Sequence, residues 1–431
     1  MIVAWLIALS LTPATPAPAD STTMDYVVGG VHVIQRQTPA NDVVAVDLYF
    51  LGGSQQLTAS TAGVEALALR AAEYGTDRYP GRAWQRARAK TGSVFIVQPT
   101  SDWTVLGFRG LAEQFDSSWA LLADGVVHPT LDSSTVAVAR QRMILAARAR
   151  DISPDGALRL LADSVAFTGH PYGLEPEGTE ASLATLVPAV LQRYARDQYV
   201  TSRMLLVIVG NVPRAAVEAA VKGTLGTLPS GSYTWHPPAP VALRAGASLT
   251  VVQRTTATNY VLGYFQGPPI TSREYSSFEL ATYLLGARLS NAIRQERSLS
   301  YAASAPFIGR ALATGGVYVS SPSPEEVFPI VRSELDSMRT TEVSPRGFDY
   351  FVRQFVTRSL VAKGSNAAQA AALAEAQIYE GDYRKASAAQ APFSDVNPYK
   401  MELAADKYMR NTQFVYLGDT TRIRGIRVNG M

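Results

Sequence analysis

The sequence predicts an α+β fold of two homologous domains, each a largely antiparallel sheet with helices packed on one face, the two facing each other across a concavity. Three observations predict it: an internal repeat, a proline-rich seam between the two copies, and strand-like runs set among long helical patterns without a strict βαβ rhythm.

The repeat is read from its landmarks. "VVAVDLYFLGG" (Val43 to Gly53) alternates apolar and polar residues and opens the first copy. Long helical patterns follow, and "MLLVIVGNV" (Met204 to Val212) closes it. In the second copy "NYVLGYFQG" (Asn259 to Gly267) opens and "FVYLGD" (Phe414 to Asp419) closes. Gly53 to Gly267 spans 214 residues and Gly210 to Gly418 spans 208, so both landmarks give nearly one period. Between the copies lies "YTWHPPAPVALRAGAS" (Tyr233 to Ser248), whose three prolines forbid a helix and mark a linker. The expected domains are therefore residues 24–232 and 249–431, joined by 233–248.

At the N-terminus, "MIVAWLIALSLTPATPAPAD" has an apolar run of about a dozen residues and an Ala17-Pro18-Ala19 site, the pattern of a cleaved export signal over residues 1–19. No Lys or Arg precedes Arg36, so the usual basic start of such a signal is missing. The run is too short to span a bilayer, and no later segment is long and apolar enough, so the expectation is an exported, periplasmic chain without a membrane span.

Composition removes several function classes. The 39 basic and 36 acidic residues are interspersed and leave a net charge of +3, with no electrostatic footprint for nucleic acid. Cysteine is absent, which excludes disulfides, thiolate nucleophiles and thiolate metal ligands together. There is no G-x-S-x-G elbow, no dinucleotide fingerprint and no phosphate loop. The four histidines, His32, His128, His170 and His236, lie far apart and form no H-x-x-H or H-x-x-E-H pair. Each has a structural reading: a short strand for His32, turns before Pro129 and Pro171 for His128 and His170, and the linker for His236.

Four segments in order, on a two-copy chain, resemble the pitrilysin/insulinase-like zinc peptidases, which include the mitochondrial processing peptidases. They are "GGVHVIQRQ", "LYFLGGSQQLTASTAGVEALALRAAEYGT", "FTGHPYGLEPEGTEASL" and "LLGARLSNAIRQERSLSYAASAPF". The resemblance covers nearly everything after residue 19. In active members the helix matching Gly63 to Thr76 carries H-x-x-E-H, two histidines on one helical face for Zn²⁺ with a glutamate as general base. In that register this chain has Ala66, Leu69 and Arg70. The third ligand, a later glutamate, falls at Ala146 or Ala147, and no Glu occurs between Glu113 and Glu175. The resemblance thus implies a chain that holds no metal and no cofactor of its own.

It also implies what is kept. Active members use an arginine and a tyrosine seven residues apart to hydrogen-bond the scissile carbonyl, and the matching pair here is Arg294 and Tyr301 in "RQERSLSY". Such donors can stabilise oxyanion character without a metal. The glycine-rich approach to that helix is shortened to "LLGARLSNAI", leaving Gly286, and the long glycine-rich loop of the processing peptidases' non-catalytic subunit is missing. The expectation is a non-catalytic subunit of a heterodimeric zinc peptidase acting on unfolded peptide, with Zn²⁺ and base in an H-x-x-E-H partner. The alternative is a non-enzymatic scaffold or peptide-binding protein of the same fold. An independent hydrolase using another site has no motif behind it.

Overall fold

A computed structural model describes residues 22–241, 245–340, 343–387 and 393–431. The export-signal reading of residues 1–19 lies outside them. In the first half, β1 (Thr23–Val28), β2 (Val31–Arg36) and β3 (Val43–Leu51) lead into α1 (Val64–Ala72) and α2 (Arg82–Thr91). The hairpin β4 (Val94–Pro99) and β5 (Trp103–Leu111) comes next, then α3 (Phe115–Val127), α4 (Ser133–Ile152), α5 (Pro154–Ala166), α6 (Glu180–Thr185) and α7 (Pro188–Gln198). Strand β6 (Met204–Val209) and α8 (Arg214–Lys222) end this half. The second half runs β7 (Ser248–Gln253), β8 (Asn259–Pro269), α9 (Tyr275–Leu289), β9 (Ala302–Ser304), β10 (Phe307–Ile308) and β11 (Leu312–Ser321). It finishes with α10 (Pro324–Thr340), α11 (Pro345–Ala362), α12 (Asn366–Glu380), α13 (Pro398–Tyr408) and β12 (Gln413–Gly418).

The sheets share five strands in the same order and sense. The first has the order β1-β2-β6-β3-β5-β4, the second β10-β11-β8-β12-β7 with β9 beside β11. In each, one parallel pair (β2 with β6, β7 with β12) stands in an otherwise antiparallel ladder. Thus β2-β6-β3-β5-β4 corresponds to β7-β12-β8-β11-β10, and β1 is extra in the first half.

Strand periodicity sorts the core. Along β3, Val44, Val46, Leu48 and Phe50 join the cluster formed with the first half's own helices, while Ala45 and Tyr49 point to the other face. Helix α1 is buried on nearly every side, because Ala and Leu fill the positions facing the sheet, α4 and α7 alike. In the second half, Phe265, Phe278, Leu285, Phe328 and Phe414 form the matching core.

Each sheet's second face is turned toward the other half and covered by one of its helices. Helix α12 lays Ala370, Leu373 and Ala374 on Ile34, Ala45, Leu205, Val207 and Val209 of the first sheet. Helix α5 lays Leu158 and Ala162 on Leu262, Tyr264, Val415 and Leu417 of the second. Polar contacts fasten the exchange: Asn366 Nδ2 donates to Val43 O at 2.7 Å, and Tyr318 OH to Asp155 Oδ1 at 2.6 Å. The described linker residues are strapped to the first half, with Tyr233 N on Ser202 Oγ at 3.0 Å and His170 Nε2 2.9 Å from Ala239 O. Among the described residues no helix is long and apolar enough to cross a membrane.

Candidate functional site

The helix that should carry a metal is a piece of hydrophobic core. Ala66 and Leu69 are buried with Ala147 of α4 in one cluster, whereas Ala146 is exposed, so Ala147 is the residue facing α1. None of the three has a donor atom, and Arg70, the remaining position, is a cation. Zn²⁺ does not fit this set of side chains. Among the described residues no group of three His, Asp or Glu is placed to hold a metal. Metal analysis of the dialysed protein is expected to find well below one zinc per chain. A stoichiometric zinc bound beside Arg70 would overturn the register that equates this helix with a metal helix.

Arg70 has a defined setting. Its guanidinium forms a two-armed pair with Glu177, Nη1 on Oε2 and Nη2 on Oε1 at 2.7 Å, and Nη2 also reaches Val97 O of β4 at 3.1 Å. Glu177 comes within reach because its loop sits against the start of α1. Gly63 and Gly178 both have positive φ, and a Cβ on Gly63 would lie 2.8 Å from Gly178 Cα. Arg150 Nη2 holds that loop through Gly178 O at 2.8 Å.

A second charged group in this region went unnoticed in the sequence. Glu65, also on α1, is paired at 2.6 Å with Arg203 Nη1, whose side chain has no solvent exposure. Tyr194 OH donates to the same Glu65 oxygen at 2.9 Å, and Arg203 Nε donates to Leu51 O at 2.6 Å. Burial works against the Arg203 charge, but Glu65 and Tyr194 outweigh it and hold the guanidinium above its ordinary range. The available signal was a lone carboxylate inside "VEALAL", where every neighbour reads as core.

Arg294 and Tyr301 are brought together. Helix α9 continues into a π-helical turn, Ser290–Gln295, a geometry that recurs at functional sites. Glu296 N bonds Asn291 O at 3.0 Å and Arg297 Nη1 bonds Ala292 O at 2.7 Å, closing the turn; Ser298 then takes φ of 53°. Ser300 Oγ donates to Ser320 O at 2.6 Å and pins the following strand to β11. The Arg294 guanidinium stands 5.0 Å from the Tyr301 ring centre, and Tyr301 is 88% exposed. Among the described residues neither the guanidinium nor the phenol has a hydrogen-bond or ion-pair partner.

Where the halves meet, two adjoining cavities of about 320 and 280 Å³ share Thr100, Ser101, Ile308 and Arg310. Asp102, buried between them, accepts from Tyr172 OH at 2.7 Å, Tyr379 OH at 2.6 Å and Ala311 N at 2.9 Å, binding both halves to one carboxylate. The Arg310 guanidinium lies over the Tyr172 ring, 4.0 Å from its centre. Asp163 beside it is pushed up to about 6 by burial, against the pull of Arg310 and Arg159. The four histidines keep structural posts: His32 in β2 beside Asp25, His128 on Asp124, His170 capping a turn through Tyr172 N, and His236 in the linker.

Comparison with known proteins adds the following. Residues 32–179 match the profile described as insulinase (peptidase family M16), and residues 185–355 the peptidase M16 inactive domain. An uncharacterized zinc protease of Mycobacterium tuberculosis is 25% identical over 302 residues, 67% of this chain and 68% of that protein. Among solved structures, a protease from Helicobacter pylori superposes with a TM-score of 0.84 at 16% identity, over 92% of this chain and 99% of that one. The first half of the periplasmic protease PqqL from Escherichia coli superposes with a TM-score of 0.76 at 15% identity, over 95% and 94%. In the whole PqqL chain this protein covers 49%.

Proposed function

The chain belongs to the insulinase family of peptidases, M16, and from that premise we propose that it is the non-catalytic subunit of a two-chain zinc peptidase. A homologous partner bearing H-x-x-E-H supplies Zn²⁺ and base. This chain closes the chamber and presents Arg294 and Tyr301 to the carbonyl of an unfolded substrate peptide. The observation that carries the reading is the contrast between the two candidate sites. The helix in the metal register is core, while the Arg/Tyr pair is held together with its donors unengaged among the described residues, ready for a carbonyl oxygen that becomes more negative as the bond is attacked. A solved relative in fold that contains two units of this size in one chain supports pairing. Export through residues 1–19 to the periplasm belongs to the same proposal.

Mixing tests it. Peptide hydrolysis is expected only when this chain is combined with its H-x-x-E-H homologue, and neither protein alone should cleave. Co-purification from the native host, with identification of the bound chain, supplies the partner. A stable complex that cleaves nothing, with zinc loaded in the partner, would favour the second reading, a scaffold or peptide-binding protein. A neighbouring gene for an H-x-x-E-H homologue favours the peptidase.

A further inference from the structure

We propose that Arg70 and Glu177 form a latch that closes the free edge of the first sheet to an added peptide strand. Among the described residues β4 is the last strand in its sheet, with no strand beyond it. Its hairpin partner fixes which of its groups face outward. Thr100 N bonds Trp103 O at 2.8 Å, so Gln98 and Ile96 face β5 in turn, while Phe95, Val97 and Pro99 direct their backbone groups away from the sheet. A regular edge of this kind is a template for another chain unless something blunts it. Pro99 does so at one end by offering no N–H. In the middle the acceptor is Val97 O, and Arg70 Nη2 occupies it at 3.1 Å.

Arg70 is not free to leave. Both arms of its guanidinium are bound by Glu177, and the Glu177 loop is seated on α1 by the Gly63–Gly178 contact and by Arg150. An incoming strand would have to take Val97 O from a charged donor and find room beside a fixed side chain, so the edge stays closed. The helix that offers no zinc ligand thus also carries the cover. This inference concerns the isolated chain and does not rest on a partner or on Arg294 and Tyr301.

The experiment uses a fluorescein-labelled ten-residue peptide of alternating valine and threonine with a lysine at each end, titrated by anisotropy. The unmodified chain is expected not to bind it. Arg70→Ala, and Arg70→Met, which keeps the aliphatic stem, are expected to bind at least tenfold more tightly, the scale of one charged hydrogen bond removed from competition. Val97→Pro deletes one outward N–H without touching the β5 ladder, and the double change Arg70→Met with Val97→Pro should lose the gained binding. Equal binding by the unmodified chain, no gain in a variant with unchanged circular dichroism and melting, or a gain that survives Val97→Pro would each overturn the latch.

Discussion

Tyr301→Phe is expected to lower kcat of the reconstituted pair on the order of 10²-fold, the scale for losing one donor to a developing oxyanion. The change removes one hydroxyl and almost no volume, and an 88% exposed side chain takes little part in holding the fold. A loss of rate therefore reports chemistry and not assembly. The ring should still lie under Arg294, since stacking requires the aromatic face and not the phenol. Arg294→Ala is expected to do comparable harm, with part of its effect in KM because a guanidinium also binds ground-state peptide. Ala66→Glu is not a neutral control, because it would bury an unpaired carboxylate in the core and is expected to destabilise the chain without touching the donor pair. The assay is peptide hydrolysis by the pair, with each protein alone as a blank and complex formation checked for each variant. Should Tyr301→Phe assemble and cleave at the unmodified rate, the chain is a structural lid and its pair is not catalytic.

The largest effect on stability is expected at Glu65. Removing one member of a buried ion pair leaves the other charge without compensation, which costs about 3–5 kcal/mol. Glu65→Ala would strand Arg203, fully enclosed, whose remaining hydrogen-bond acceptors among the described residues are Leu51 O and Tyr194 OH. Replacing both charges, Glu65→Leu with Arg203→Met, removes the stranded cation and should cost clearly less than the single change. Urea unfolding of the three proteins decides it: a double variant less stable than Glu65→Ala would show that the pair contributes through its charges and not merely by satisfying each other.

What could be read in advance follows from physical range. The central strands β3, β6, β8 and β12 were legible as strand-like landmarks whose matched spacing exposed the duplication, although β3, read as alternating apolar and polar residues, is buried on both faces. That α1 offers no zinc ligand at these positions is a local property of its residues: Ala66, Leu69 and Arg70 lack the atoms. The partners of charged residues were not legible. Arg70 meets Glu177 and Glu65 meets Arg203 across more than a hundred residues, and nothing in a charge's immediate neighbours says which distant loop will be folded against it. The same holds for α5 and α12. Their apolar stripes announce a buried face, but a stripe of Leu and Ala fits either sheet, and only the assembled chain shows that each helix covers the sheet of the opposite half.

That exchange governs the order in which the protein can be completed during synthesis. A ribosome that has released the first half has released a sheet whose Ile34, Ala45, Leu205 and Val207 still await α12, which is made well after the linker. Over that interval α5 carries Leu158 and Ala162 with no second sheet to receive them. Native contacts between segments so far apart form slowly, and the waiting surfaces are apolar. Until α12, which ends at Glu380, has been made, the nascent first half therefore leaves one face of its sheet uncovered.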